Sequence, residues 1–345
     1  MTKRTLILLL AAVLLFGSAC LCSPLNWIPF QTQPPTKVPP QVSSPTPIPP
    51  EWEQATPGAA DLSACLERLP GVLVDAENED FPGQELPMEY TLAEYAVSGD
   101  ELLSPEFPPV PARYGMEAYQ NDPTRLEQIW QFVADVIPSG ERTMISRFIL
   151  YTDGVSGSLG AIEQTDDPHL WSLQLDVLDS AYYPLLSTTL IHELAHLITV
   201  QEAQLTVNGE TDGGKPQGQS APACENYQMF EGCSTDSAYL TRFYDRFWPD
   251  IYAEWEEIDA IPDESERETA LDDFYRQHVD EFVSWYAPTN PEEDLAESFM
   301  YFVFSGRPSG DTLLEEKILF FHDFPALVTL RDQLQDGLCA YLPPE

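Results

Sequence analysis

Leu190-Ile191-His192-Glu193-Leu194-Ala195-His196-Leu197 sets two histidines four residues apart, with a glutamate directly after the first. On an α-helix of about 3.6 residues per turn, positions four apart lie on one face. Both imidazoles can therefore reach a single ion at about 2.0–2.1 Å. Glu193 stands beside them, where a carboxylate can act on a water held by that ion. Leu190, Ile191, Leu194, Leu197 and Ile198 supply apolar surface for the other sides, as a helix buried between layers requires. The spacing predicts one helix from about 183 or 186 to 200. The chain has only five histidines, so chance matches to H-E-x-x-H number on the order of one in a hundred. We read the pair as zinc ligands.

A catalytic zinc takes three protein ligands and keeps one position open. After His196 come Leu197, Ile198, Thr199 and Val200, so no third histidine follows on the same helix. The best source of a third ligand is Tyr286-Ala287-Pro288-Thr289-Asn290-Pro291-Glu292-Glu293-Asp294-Leu295-Ala296-Glu297-Ser298-Phe299. Asn290 suits a helix cap, Pro291 suits the first turn, and acids follow as the helix dipole favours. Glu293 and Glu297 share a face: one can bind the metal, and the other can orient a histidine through its free ring nitrogen. Glu292 and Asp294 are expected to serve the helix N-terminus. Leu295, Ala296, Phe299 and Phe302 are expected in the core.

His-Glu-x-x-His followed on a later helix by two acids four apart resembles the gluzincins. Within them, the Tyr286–Phe299 segment looks closest to the group related to anthrax lethal factor. That resemblance implies zinc-dependent peptide hydrolysis, with Glu293 as third ligand, Glu297 behind it, and Tyr286 stabilising the oxyanion. It also implies an edge strand that pairs with extended substrate, supplied by 143–151 or 170–178. The sequence departs from the group at Asp294 and Leu295, where aromatic residues are usual. Two short segments carry the resemblance.

Outward from the motif, Leu126, Ile129, Trp130, Phe132, Val133 and Val136 have helical spacing, predicting a helix over 124–137. Segments 143–151 and 170–178 read as strands, with a turn signal at Thr152-Asp153-Gly154-Val155-Ser156-Gly157 between them. Residues 201–233 read as a polar, glycine-rich loop forming one wall of a cleft. Ser234-Thr235-Asp236 reads as a cap, and helices are expected over 238–247, 251–258, 264–285, 291–304, 312–321 and 325–335. The fold class is α+β: a strand-containing N-terminal lobe of about 61–200, a mainly helical C-terminal lobe of about 201–345, and the zinc site in the cleft between them. His169, His278 and His322 are read as lying outside the site. No EF-hand spacing accompanies Asp153, Asp166 and Asp167.

The N-terminus reads as an export signal. Lys3 and Arg4 precede an apolar run to Phe16, and Gly17-Ser18-Ala19 precedes Cys20. Residues 1–19 are expected to be removed and Cys20 lipidated, as in bacterial lipoproteins. Residues 20–60 hold much of the chain's proline and read as an extended spacer, so the folded metallopeptidase domain is 61–345. Four further cysteines in an exported chain predict two disulfides, Cys224–Cys233 and Cys65–Cys339. With 57 acidic and 16 basic residues and a net charge of −41, the surface repels phosphate backbones and excludes nucleic acid as a partner.

The expected function is zinc-dependent hydrolysis of peptides or proteins at the cell surface or in the periplasm, tethered to the membrane through Cys20. The rival expectation is a zinc-binding or adhesion lipoprotein with a vestigial protease site. Against it stands Glu193, which a pure binder does not need. The sequence leaves the oligomeric state open.

Overall fold

A computed structural model describes residues 62–78, 86, 88–112, 115–154, 157–207, 211–212, 215–216 and 224–342. The expected signal at 1–19, the expected lipidation site Cys20 and the whole of the spacer up to residue 60 lie outside the described residues. Among the described residues, no helix is long and apolar enough to cross a membrane.

The order of elements is α+β, with a five-stranded sheet in the N-terminal half and helices dominating the C-terminal half. Helix α1 (Leu62–Asn78) comes first. It buries Cys65, Leu69, Val72 and Leu73, one stripe at helical spacing. Strands β1 (Tyr90–Ser98) and β2 (Glu101–Glu106) form a hairpin, with Gly99 at φ 63° in its turn, a conformation open to glycine. A short α2 (Glu117–Gln120) leads to α3 (Pro123–Val136). The Asp122 side chain caps α3 by accepting the Arg125 N–H. All six apolar residues expected on its inner face are buried.

Strand β3 (Ile145–Thr152), β4 (Gly160–Gln164) and β5 (Trp171–Asp176) complete the sheet, in the order β2-β1-β3-β5-β4. Both predicted strands are present. The segment between them holds a strand as well as the expected turn. Because β4 crosses to the far side of β5, β3 and β5 become parallel neighbours in the interior. Nearly all of β5 is buried, and β3 is buried over Leu150–Thr152, as suits central strands. The open edges therefore belong to β2 and β4, not to 143–151 or 170–178. Along β4, Thr165 N–H bonds Leu170 O and Asp176 N–H bonds Leu159 O. That parity leaves the main-chain groups of Gly160, Ile162 and Gln164 facing away from β5.

Helix α4 (Tyr183–Thr199) follows, with all but two of its residues buried. Between α4 and the next helix lie β6 (Leu205–Val207), β7 (Thr211–Asp212), β8 (Lys215–Pro216) and β9 (Gly232–Ser234), with β6 paired to β9 and β7 to β8. This is the segment expected as a plain loop. The helical half contains α5 (Tyr239–Phe247), α6 (Tyr252–Asp259), α7 (Glu264–Gln277), α8 (Pro291–Phe304), α9 (Leu313–Phe320) and α10 (Pro325–Tyr341).

Three boundaries differ from the sequence expectation. Ser234 does not cap α5: its hydroxyl is engaged with Tyr227 and Thr241, and Ala238 takes the cap position without a side-chain bond. Helix α7 ends at Gln277 rather than 285. The chain turns at His278 and later makes a short 3-10 turn at Ala287–Thr289 that delivers Asn290 to α8. Helix α10 runs past the expected stop at 335. Gly337 is accommodated inside it because α10 packs closely on α3 there; a Cβ would meet the Val136 Cα at 2.7 Å. Tyr183 of α4 also donates to Leu338 O of α10 at 2.8 Å.

Both expected disulfides form, Cys65–Cys339 and Cys224–Cys233. Such bonds point to an extracytoplasmic protein. The first joins α1 to α10 across 274 residues of sequence. Opening so long a loop by Cys65→Ser with Cys339→Ser should lower unfolding free energy by about 2–5 kcal/mol. Urea unfolding measures it; an unchanged midpoint would show that the clamp adds nothing.

Candidate metal centre

Helix α8 packs against α4 and brings its acids to the two histidines. Asn290 fixes the start of α8 by accepting the Glu293 N–H at 2.8 Å, and Pro291 occupies its first turn. From there Glu293 and Glu297, one turn apart, face α4 as their spacing requires.

Glu293 Oε2 lies 3.0 Å from His192 Nε2 and 3.2 Å from His196 Nε2. The two Nε2 atoms are 3.0 Å apart. On the other side of the ring, His192 Nδ1–H donates to Glu297 Oε1 at 2.7 Å. With Nδ1 carrying the proton, Nε2 of a neutral His192 presents its lone pair to a carboxylate oxygen. Such a contact is satisfied by a proton on Nε2 or by a metal ion between the two atoms. A tetrahedral ion with bonds of about 2.0–2.1 Å sets its ligand atoms about 3.3 Å apart, close to the spacing here. His192, His196 and Glu293 thus form a group that can hold a metal ion. No other group of this kind occurs among the described residues.

The setting is buried: His192 is 8% exposed, Glu293 4%, Glu297 7% and Glu193 4%. Burial alone would depress the His192 imidazole, but Glu293 and Glu297 outweigh it and hold its pKa well above the ordinary value. His196 is raised in the same way by Glu293. Burial would raise Glu293, yet His196 and His192 pull it well below the usual carboxylate range. Glu193 behaves oppositely. Burial raises it, and the two histidines only partly offset that. The main-chain N–H of Ile162 on β4 donates to its carboxylate. Tyr286 packs its ring 5.9 Å from that of His192.

The structure therefore brings together His192, His196, Glu293 and Glu297, with Tyr286 alongside, and sets Glu193 within electrostatic reach of both histidines and Glu293. Of the two carboxylates left open by the sequence, Glu293 faces both Nε2 atoms, and Glu297 holds the far nitrogen of His192. His169 sits in an exposed turn, His278 bonds Glu281, and His322 packs on Phe302; none joins the group.

Glu292 and Asp294 do more than serve the helix terminus. Tyr227 donates to Glu292 Oε2 at 2.8 Å, and burial pushes this carboxyl up to about 7 against that bond. Asp294 is fully buried, accepting from Lys317 Nζ at 2.6 Å and Trp248 Nε1 at 2.9 Å. Sequence reading missed Ile162, Tyr227 and Glu231 as neighbours of the site. No local pattern marks them, because each arrives through the register of a distant strand or turn.

If Glu297 orients His192, Glu297→Ala should weaken metal binding about 10–100-fold. Competition with a chromophoric chelator measures it, and an unaltered dissociation constant would remove Glu297 from this role.

Comparisons with protein-family models, curated proteins and solved structures find no match to this chain.

Proposed function

We propose that the protein is a zinc metallopeptidase of gluzincin type, exported and held at the membrane through lipid on Cys20. The observation that carries this is the convergence of His192, His196 and Glu293 on one point, with Glu193 next to His192 on the same helix. Two imidazoles and one carboxylate form the donor set of catalytic zinc sites, which keep a fourth position open.

Zinc there supplies a Lewis acid that polarises water and scissile carbonyl alike. Glu193, raised by its burial, suits a base that takes a proton from the attacking water and passes it to the leaving amine. Tyr286, beside the His192 ring, donates to the carbonyl oxygen as negative charge develops. Glu297 keeps His192 in the tautomer whose Nε2 is free. The outward main-chain groups of β4 pair with an extended peptide. The Ile162 N–H is engaged by Glu193, which ties that edge to the base and leaves the Gly160 and Gln164 groups for the peptide. On this reading the peptide would run between the β4 edge and α8, with the 224–234 turn as one wall.

Casein or a peptide library, incubated with zinc-loaded protein, tests the reading. We expect cleavage that a chelator abolishes and added zinc restores. Zinc-loaded protein that cleaves nothing would leave a binding module in its place.

A further inference from the structure

We propose, on the peptidase reading above, that Gly160 is a positioning residue for the substrate. Its bare Cα lets the β4 edge sit against Thr189 of α4, and that contact fixes where a paired peptide lies relative to His192 and His196.

Gly160 opens β4 and lies opposite Leu175 of β5. Its main-chain groups are among those that face away from β5. The space where its side chain would stand is already occupied. A Cβ there would meet Thr189 Cγ2 at 2.7 Å, Gln174 O at 3.1 Å and Leu175 Cδ2 at 3.2 Å. Two of these neighbours belong to β5, which is paired on both sides and cannot retreat. The third stands on α4, three residues before His192 and four before Glu193, hence one turn from both along the same side of the helix.

The seat of Thr189 shows how close this approach is. Ser187, Thr188 and Thr199 of the same helix each donate to a carbonyl three or four residues back. Thr189 does not. Its Oγ1 is buried without a partner, and its methyl is the group that lies at Gly160. A hydroxyl left unpaired in the interior is costly, so packing against β4 and not hydrogen bonding sets this side chain. The methyl cannot swing aside freely, because a β-branched side chain on a helix has few χ1 states. Helix α4 is held by α8 and α1 as well, with all but two of its residues buried. Strand β4 has one partner strand. A methyl forced between them therefore moves the strand, and with it the outward groups that take the peptide. A misplacement of about 1 Å at a bound substrate can cost about 100-fold in rate.

The test compares zinc-loaded wild type, Gly160→Ala, Thr189→Ala and the double variant. Cleavage of long peptides and of peptides too short to pair with Gly160 is measured, with zinc affinity by chelator competition. Gly160→Ala should lower kcat/KM for long peptides by about 10–100-fold, with zinc affinity and short-peptide cleavage near wild type. The double variant moves one methyl from helix to strand and loses no hydrogen bond, so it should recover most of the long-peptide rate. Thr189→Ile, which enlarges the helix side of the same contact, should imitate Gly160→Ala and replaces it should that variant not fold. Wild-type cleavage of long peptides by Gly160→Ala or Thr189→Ile overturns the positioning role while the peptidase stands. So does a loss that is equal on short peptides or follows zinc affinity, or a folded, zinc-loaded double variant no faster than Gly160→Ala. A zinc-loaded wild type that cleaves no peptide overturns both.

Discussion

Glu193→Gln is expected to bind metal as tightly as wild type and to hydrolyse peptides about 10²–10⁴-fold more slowly, the range that a positioned general base contributes. The amide keeps the size and shape of the acid, so the buried helix α4 has no cavity to fill. Its oxygen can still accept the Ile162 N–H that the carboxylate accepts now. His192, His196 and Glu293 hold one another, and Glu297 holds His192, so these contacts remain. What disappears is the site that takes up a proton. Steady-state kinetics together with metal analysis separate the two effects. A Gln variant with near-normal turnover would mean that another group serves as base.

Lys317→Met is expected to cost about 3–5 kcal/mol of stability, because it leaves a buried carboxylate without its counter-charge. Lys317 and Asp294 are both inaccessible to solvent. Lys317 Nζ also stands 4.1 Å over the ring of Phe282. Asp294 directly follows Glu293 on α8, so the lost pair should loosen the metal group as well as the fold. Burial already pushes Asp294 up, with Lys317 and Trp248 opposing it. The double variant Asp294→Leu with Lys317→Met should regain most of the loss, since apolar replacement of a buried pair is often near neutral. Urea unfolding of wild type, Lys317→Met, Asp294→Leu and the double variant closes the cycle. A Lys317→Met midpoint equal to wild type would show that the pair is not needed.

The site was legible where helical periodicity carried it. His192 and His196 are four apart, as are Glu293 and Glu297, and Asn290-Pro291 announces the helix that presents the acids. What was not legible depends on chain distant in sequence. Glu292 and Asp294 read as solvated acids because their partners, Tyr227 and Lys317, lie 65 and 23 residues away. Strand β4 is five residues long, begins with glycine and lacks a strong apolar pattern, yet it supplies the open edge. Helix α1 contains Pro70 and follows a proline-rich stretch, which hides its buried stripe. The ends of α7 and α10 were misjudged for similar reasons, since the fit of Gly337 against Val136 is set by packing and not by propensity.

Zinc-edge X-ray absorption with metal quantification, on wild type and on Glu293→Ala, probes the metal group most directly. Wild type should hold one zinc per chain, bound by two imidazoles and a carboxylate oxygen at about 2.0–2.1 Å, and Glu293→Ala should lose that ion or its oxygen ligand. A chain that takes up no stoichiometric zinc, or a coordination sphere that is the same without Glu293, would contradict the account.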